Sequence, residues 1–329
     1  MPRSFDLLVI GDANPDVVVG PVPRTLEYGQ REQLVASGRL LMGGSAAITA
    51  CGAARLGLRV AFAGRVGDDA AGAFVRTALA ERGVDVTALV TDPERPTPLT
   101  TVLARGDDRA ILTAPGCLAA TGARDVPDRL LADCRHVHAG SFFLMPRLAR
   151  SLGDIFARAR GHGAATSLDT NDDPAQRWDP ELLGPVLKST DVLLPNAAEA
   201  RALAAALAPG PPEGDGPETG PAAAAAALAR LGPLVVVKDG AAGALAHDGA
   251  TLTRTAAVPT DPVDSVGAGD SFDAGFVAAV LHGMDLPTAL SFAAACGALS
   301  TRAHGGTAAQ PTRDEARAAA LTTRPGSHT

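Results

Sequence analysis

Short apolar runs alternate with alanine-rich stretches through most of the chain, and that alternation leaves few folds open. The runs "DLLVIGD", "RVAFAGRVG", "HVHAGSFF", "ATSLDTN", "DVLLPN" and "LVVVKDG" are apolar at consecutive positions and mostly lead into Gly, Asp or Asn. A strand covered on both faces reads as a continuous apolar run, and loops after the C-terminal ends of such strands carry ligands. Between the runs lie helical stretches at Ala46–Leu56, Gly72–Arg82, Arg147–Arg160, Pro180–Lys188, Ala197–Leu207 and Ala222–Leu231. The pattern predicts an α/β fold, a doubly wound and mostly parallel sheet flanked by helices.

Two segments break the alternation. Val17–Leu41 and Pro98–Thr113 contain the β-like runs "DVVVG", "LTTVLA" and "RAILTA" without helices between them. They predict a small β-sheet projecting as a lid. Residues 208–221, "APGPPEGDGPETGP", are too rich in Gly, Pro and acid to pack, and are expected to form a flexible surface loop. "TRDE" at Thr312–Glu315 has capping-box spacing and predicts a short last helix before a disordered tail at 322–329. Residues 1–321 are therefore expected to form a single domain, with lid segments at about 12–41 and 96–115.

At 329 residues the chain can bury one large core or two modest ones. The net charge of −7 includes no basic block, and only two residues, Lys188 and Lys238, are lysines. No nucleic-acid partner and no membrane partner are expected; a small molecule is. Cys51, Cys117, Cys134 and Cys296 lie far apart without ligand spacing, which suggests neither zinc nor a disulfide framework. Reduced thiols and the absence of a leader-like or membrane-spanning run predict a cytoplasmic location.

The densest chemistry is "DSVGAGDSFDAGF", Asp264–Phe276. Gly267, Ala268, Gly269 and Asp270 stand where a loop enters an apolar helix. Asp270 is either a helix cap or a carboxylate beside an anion hole of backbone amides. Other candidates follow strand ends. "GDANPD" places Asp12, Asn14 and Asp16 at alternate positions, on one face if the strand continues. "MGGSAAITACGAARLG" turns at Gly43–Gly44 into a small-residue helix. "NAAEA" sets Asn196 and Glu199 one turn apart, as a cap or as a site acting on Mg²⁺ through water. "KDGAAG" offers Lys238, Gly240 and Gly243, as a turn or a nucleotide cleft. There is no G-x-x-x-x-G-K-[ST], and a third glycine of G-x-G-x-x-G would fall on Phe272.

In this order the motifs resemble the ribokinase-like carbohydrate kinases, the phosphofructokinase-B (PfkB) family, over nearly the whole chain from "GDANPD" to "GGTAAQP". "DSVGAGDSFDAGF" and "GG…ARLG…GRVGDDAAG" carry most of the resemblance. It implies an ATP-dependent kinase, with transfer of the γ-phosphoryl group to a hydroxyl of a sugar or sugar-like molecule. It also implies that Asp270 is the base and the Gly267–Asp270 amides the anion hole. Asn196 and Glu199 then act on the magnesium–phosphate network. Asp12, Asn14, Asp16, Gly43, Gly44, Ile48, Ser141 and Asp169 fall on the acceptor side, and Lys238, Gly240, Gly243 and Cys296 on the nucleotide side. ATP and Mg²⁺ are the implied cofactors, with a monovalent cation left open, and relatives imply a homodimer through the lid sheet.

Departures bear on the acceptor. Ile48 stands where relatives often carry asparagine, Ser141 lies where ribokinases have a glutamate nearby, and Asp173 replaces the arginine of D-x-N-x-R-P. Asp173 is expected to repel a sugar phosphate, and ribose is not expected either. A nucleoside kinase of the same family and a non-catalytic metabolite-binding regulator are the alternatives. A nicotinamide oxidoreductase is disfavoured by the lack of a glycine fingerprint after the first strand.

Overall fold

The computed structural model describes residues 3–106, 108–208 and 220–321. Its strands open with β1 (Phe5–Ile10), β2 (Asn14–Gly20), β3 (Ser37–Gly43), β4 (Val60–Gly67) and β5 (Val84–Asp92). Then follow β6 (Leu99–Arg105), β7 (Asp108–Ala114), β8 (Cys134–Ala139) and β9 (Ala165–Leu168). β10 (Val192–Leu193), β11 (Leu234–Lys238), β12 (Ala244–His247) and β13 (Leu252–Thr255) complete them. The first helices are α1 (Ser45–Arg55), α2 (Ala70–Glu81), α3 (Asp128–Ala132), α4 (Pro146–Gly161) and α5 (Pro180–Leu187). The last are α6 (Ala197–Leu207), α7 (Pro221–Ala229), α8 (Ala268–Leu281), α9 (Leu286–Ser300) and α10 (Arg313–Leu321).

Nine strands form the main sheet in the order β13-β12-β11-β10-β9-β8-β1-β4-β5. All neighbours from β11 to β5 run parallel, and β12 and β13 close one edge antiparallel. β1 shows why a continuous apolar run is needed. Leu7 and Val9 enter the core shared with α1, α2, α8 and α9, while Leu8 and Ile10 enter the one shared with α3 to α7. Each such side chain contributes roughly 1.5–3 kcal/mol by leaving water.

The two interrupting segments form a four-stranded sheet, β3-β2-β6-β7, in which β2 and β6 run parallel and the outer pairs antiparallel. β3 continues to Gly43, two residues past the expected segment, and so delivers the chain directly to α1. The base of this sheet is pinned by Asp69, which caps α2 at Gly72 and accepts from the Thr97 amide at 2.8 Å.

The expected helices are present within two residues at each end. Strands β5, β12 and β13 and helices α3 and α9 are additional. Gly220 and Pro221, expected in the surface loop, instead form the N-cap and first residue of α7; residues 209–219 and the tail at 322–329 lie outside the described residues. Among the described residues no helix is long and apolar enough to cross a membrane.

Candidate active site

The functional loops converge at the C-terminal ends of β1, β8, β9, β10 and β11 and at the N-termini of α1 and α8. Gly267 is the N-cap of α8, with φ 72°, and supplies no side-chain cap. A side chain there would also strike the backbone of Gly306. The residue after it starts the helix, so Asp270 sits at the third helical position. The amides of Gly269 and Asp270 find no acceptor among the described residues. They are first-turn N–H groups left for an anion.

Asp270 is buried, and burial, together with the Asp169 charge, pushes its carboxyl well above the usual carboxylate range. The Lys238 ammonium and the Ser45 hydroxyl oppose that shift. The Lys238 side chain is itself largely buried at the end of β11, 11% exposed. Its Nζ donates to Asp169 Oδ2 at 2.6 Å and to both oxygens of Asp273 at 3.1 Å. Asp169, Asp270 and Asp273 each bring an oxygen within 4.8 Å of the others. Burial works to raise Asp169, but the ammonium outweighs it and holds this carboxyl low. Burial drives Asp273 the other way, well above its ordinary value. One ammonium therefore holds two carboxyls beneath the anion hole. Gly269 lies directly over that ammonium: a Cβ there would stand 3.6 Å from Lys238 Nζ.

Toward the lid, the polar trio is built as one unit. Asn14 Nδ2 donates to Asp16 Oδ1 at 2.8 Å and to Thr100 Oγ1 of β6 at 3.1 Å, and Thr100 is joined to Thr113 of β7. Asp16 lies against Gly43, where any Cβ would overlap its carboxylate. Burial and then the Asp12 charge raise the Asp16 carboxyl to about 7. Asp12 accepts from the amides of Ser45 at 3.3 Å and Ala46 at 3.0 Å, so it caps α1, whose own N-cap Gly44 has no side chain. At the far end of the lid, Arg109 of β7 reaches Asp264 at 3.7 Å, bridging the lid and the loop that enters α8.

Buried carboxylates on the acceptor side, orphan amides at a glycine-capped helix and a lid between them fit phosphoryl transfer. Residues 4–313 match the pfkB family carbohydrate kinases. The chain belongs to that family. Among relatives of this pfkB kinase, the ATP-dependent ribose-1-phosphate kinase of Halopiger xanaduensis is 32% identical, covering 94% of this chain and 95% of the relative. The nucleoside kinase of Methanothermobacter thermautotrophicus is 28% identical, over 90% and 89% of the two chains. The structure of Arabidopsis thaliana ribokinase complexed with ribose and ATP has the same fold, with TM-score 0.81 and 24% identity over 97% and 99% of the chains. The pfkB kinase is thus a phosphotransferase acting on an alcohol group, in a family of sugar and nucleoside kinases.

Several expected roles change. Lys238 does not line a nucleotide cleft with its side chain, because its ammonium is committed to Asp169 and Asp273. Asp169 correspondingly faces Lys238 and Asn171, not open acceptor space. Ile48 is buried against Gly267 and Gly306, so it props the catalytic loop. Cys296 is buried in the α8–α9 contact, its sulfur against Gly275, and is a packing residue. Asp173 turns into its own loop and accepts from the amides of Ala175, Arg177 and Trp178. These bonds favour its charged form and fix its carboxylate within that loop.

Asn196 and Glu199 form a capping box: Asn196 Oδ1 accepts from the Ala198 and Glu199 amides at 2.9 Å, and Glu199 Oε2 accepts from the Asn196 amide at 2.8 Å. Burial and then Asp169 raise the Glu199 carboxyl to about 7. Its second oxygen has no hydrogen-bond partner among the described residues. Gly240 and Gly243 both have positive φ in the turn after β11, and Gly243 packs on the backbone of Thr255. Ser141, also at positive φ, sits beside Asp12. Four contributors escaped the sequence reading: Ser45, Thr100, Asn171 and Asp273. The spacing "GDSFD" carried a signal for the last, since an aspartate one turn after Asp270 on an apolar helix needs a partner.

Proposed function

We propose that this pfkB kinase transfers the γ-phosphoryl group of ATP to a hydroxyl of a sugar or sugar-like small molecule. The observation that supports this most is the pair of orphan amides at Gly269 and Asp270 beside a buried carboxylate. Asp270 takes the proton of the acceptor hydroxyl as its oxygen bonds to phosphorus and the bond to the ADP oxygen breaks. The Gly267–Asp270 turn holds the transferred group, and Asp12, Asn14 and Asp16 hold the acceptor. Little covalent work falls to the protein, which positions the groups and balances charge. Bound Mg²⁺ would offset charge on the phosphates.

The fit to Mg²⁺ rests on Glu199, a buried carboxylate with one oxygen uncommitted, whose pKa burial and then the Asp169 charge raise. Mg²⁺ keeps several waters and needs few protein groups. Glu199→Gln is expected to reduce activity several-fold at limiting Mg²⁺ and to recover part of it at excess metal. An equal defect at every Mg²⁺ concentration would rule that role out.

The lid, as part of one domain, is proposed to close over the acceptor, with the Arg109–Asp264 contact marking its closed edge. Leu40 and Leu112 share a row on this sheet and are 54% and 60% exposed. They are the surface we assign to self-association, which sedimentation would register as a dimer.

The deciding experiment is ADP release from Mg-ATP across a panel of sugars, sugar phosphates and nucleosides. Turnover with a sugar or sugar phosphate supports the reading. Turnover with nucleosides alone makes it a nucleoside kinase, and tight acceptor binding without ADP release would make it a metabolite-binding regulator.

A further inference from the structure

Gln310, in the loop between α9 and α10, is buried, where a carboxamide needs bonded partners. It has two. Its Nε2 donates to the Ile48 carbonyl of α1 at 2.9 Å and to Ser271 Oγ of α8 at 3.1 Å. A backbone carbonyl can only accept, so the bond to Ile48 fixes which end of the amide is the nitrogen. Gly52 of α1 makes room for it: a Cβ there would stand 2.8 Å from Gln310 Nε2 and 2.9 Å from Ala274 Cβ of α8. Both separations are well inside contact distance.

The two helices that Gln310 joins carry the two halves of the site. α1 starts at the Gly43–Gly44 turn, with its Ser45 and Ala46 amides on Asp12. In α8, Ser271 directly follows Asp270. Thr49 Oγ1 of α1 donates to the Asp270 carbonyl at 3.2 Å, and the Ile48 side chain lies against Gly267 and Gly306. The loop that carries Gln310 also reaches the anion-hole segment through the Gly305 amide, which donates to Asp264 Oδ2 at 2.9 Å. The spacing of α1 and α8 is thus the spacing of the acceptor side and Asp270.

We propose that Gln310 is a positioning residue of the transfer reaction: its carboxamide fixes α8 against α1, so that Asp270 and the anion-hole amides meet the acceptor at reacting distance. It acts through the two helices. The inference rests on reading Asp270 as the base.

The test compares Gln310→Met, Gly52→Ala, Ser271→Ala and the double variant of Gln310→Met with Ser271→Ala. Methionine keeps the length of the side chain and removes both N–H donors. Gly52→Ala keeps the glutamine but places a methyl group against its nitrogen. Each is expected to lower kcat per folded enzyme by about 10- to 100-fold, with KM values changed by less than about threefold, since a displacement of about 1 Å costs that much. Ser271→Ala keeps the bond to Ile48 and should cost about two- to tenfold. The double variant should be no worse than Gln310→Met alone, because the bond it could lose is already gone.

A bond that only held the fold together would lower the melting temperature and leave kcat per folded enzyme unchanged, and that result overturns the proposal. Additive losses in the double variant overturn it as well. Should Gln310→Met not fold, Gly52→Ala and Ser271→Ala decide: kcat within about twofold of wild type in both is the overturning result. Hydrogen exchange of the amides at residues 271–274 reads the brace without turnover and should quicken in Gln310→Met. If it quickens while the wild type transfers no phosphoryl group to any sugar, sugar phosphate or nucleoside, the reading of Asp270 as base fails and takes the role in transfer with it. If the wild type turns over and Asp270→Asn does not, but Gln310→Met leaves kcat unchanged, the positioning role alone is overturned.

Discussion

Asp270→Asn is expected to lower kcat by roughly 10²–10⁴, the usual contribution of a positioned general base. The amide is nearly the same size and leaves the Thr49 hydroxyl on the residue-270 carbonyl undisturbed. Folding and nucleotide binding should therefore stay close to wild type. The change removes proton acceptance and little else. Single-turnover measurement with saturating ATP and acceptor checks it, since it reads the chemical step apart from product release. Survival of the step within a few-fold would mean that the acceptor proton goes elsewhere and that Asp270 serves only to shape the turn.

The second large effect is on stability. Lys238→Met removes the cation beneath the anion hole and leaves Asp169 and Asp273 buried without it. Breaking a buried pair on one side costs about 3–5 kcal/mol. The pH dependence identifies the cause. In the wild type the Asp169 carboxyl is held low against burial by the ammonium, so its stabilisation is present above the unfolded carboxylate pKa and is lost as pH falls through the folded one. In the variant burial acts alone and raises that carboxyl, so acid stabilises the variant relative to its behaviour at neutral pH. The gap in melting temperature should be widest near pH 8 and narrow steadily toward pH 4. A gap independent of pH would point to lost packing of the lysine stem. Adding Asp273→Asn to Lys238→Met should recover part of the loss, because it removes one carboxyl that burial cannot keep charged.

Much of the architecture was legible because buried parallel strands carry a redundant signal. β1, β4 and β11 are apolar toward both cores, so no choice of face obscures them. β5 and the β12–β13 edge carry less of that signal: β5 is partly exposed along its length, and the two edge strands have four residues each. α9 escaped because no strand follows it, and the alternation that brackets the other helices ends at β13.

In the site, residues announced by glycine turns and strand ends were found, since those positions are local. The partners were not. Lys238 reads as part of a turn or a nucleotide cleft until the fold brings Asp169, 69 residues away, and Asp273, 35 residues away, onto one ammonium. Ser45 and Asn171 are 126 residues apart and meet only because β1 and β9 both flank β8. Asp173 is also local: its carboxylate accepts from amides two to five residues on, a loop geometry that its charge alone does not announce.

The burial of Lys238 leaves Lys188 as the one exposed lysine side chain in the protein. Lys188 follows α5 and precedes β10, on the side of the strands' N-terminal ends, opposite the C-terminal ends that build the site. Amine-directed reagents acting on side chains therefore have a single address, remote from acceptor and nucleotide. A fluorophore, a surface linker or an acetyl group placed there would label or immobilise the kinase at one defined point.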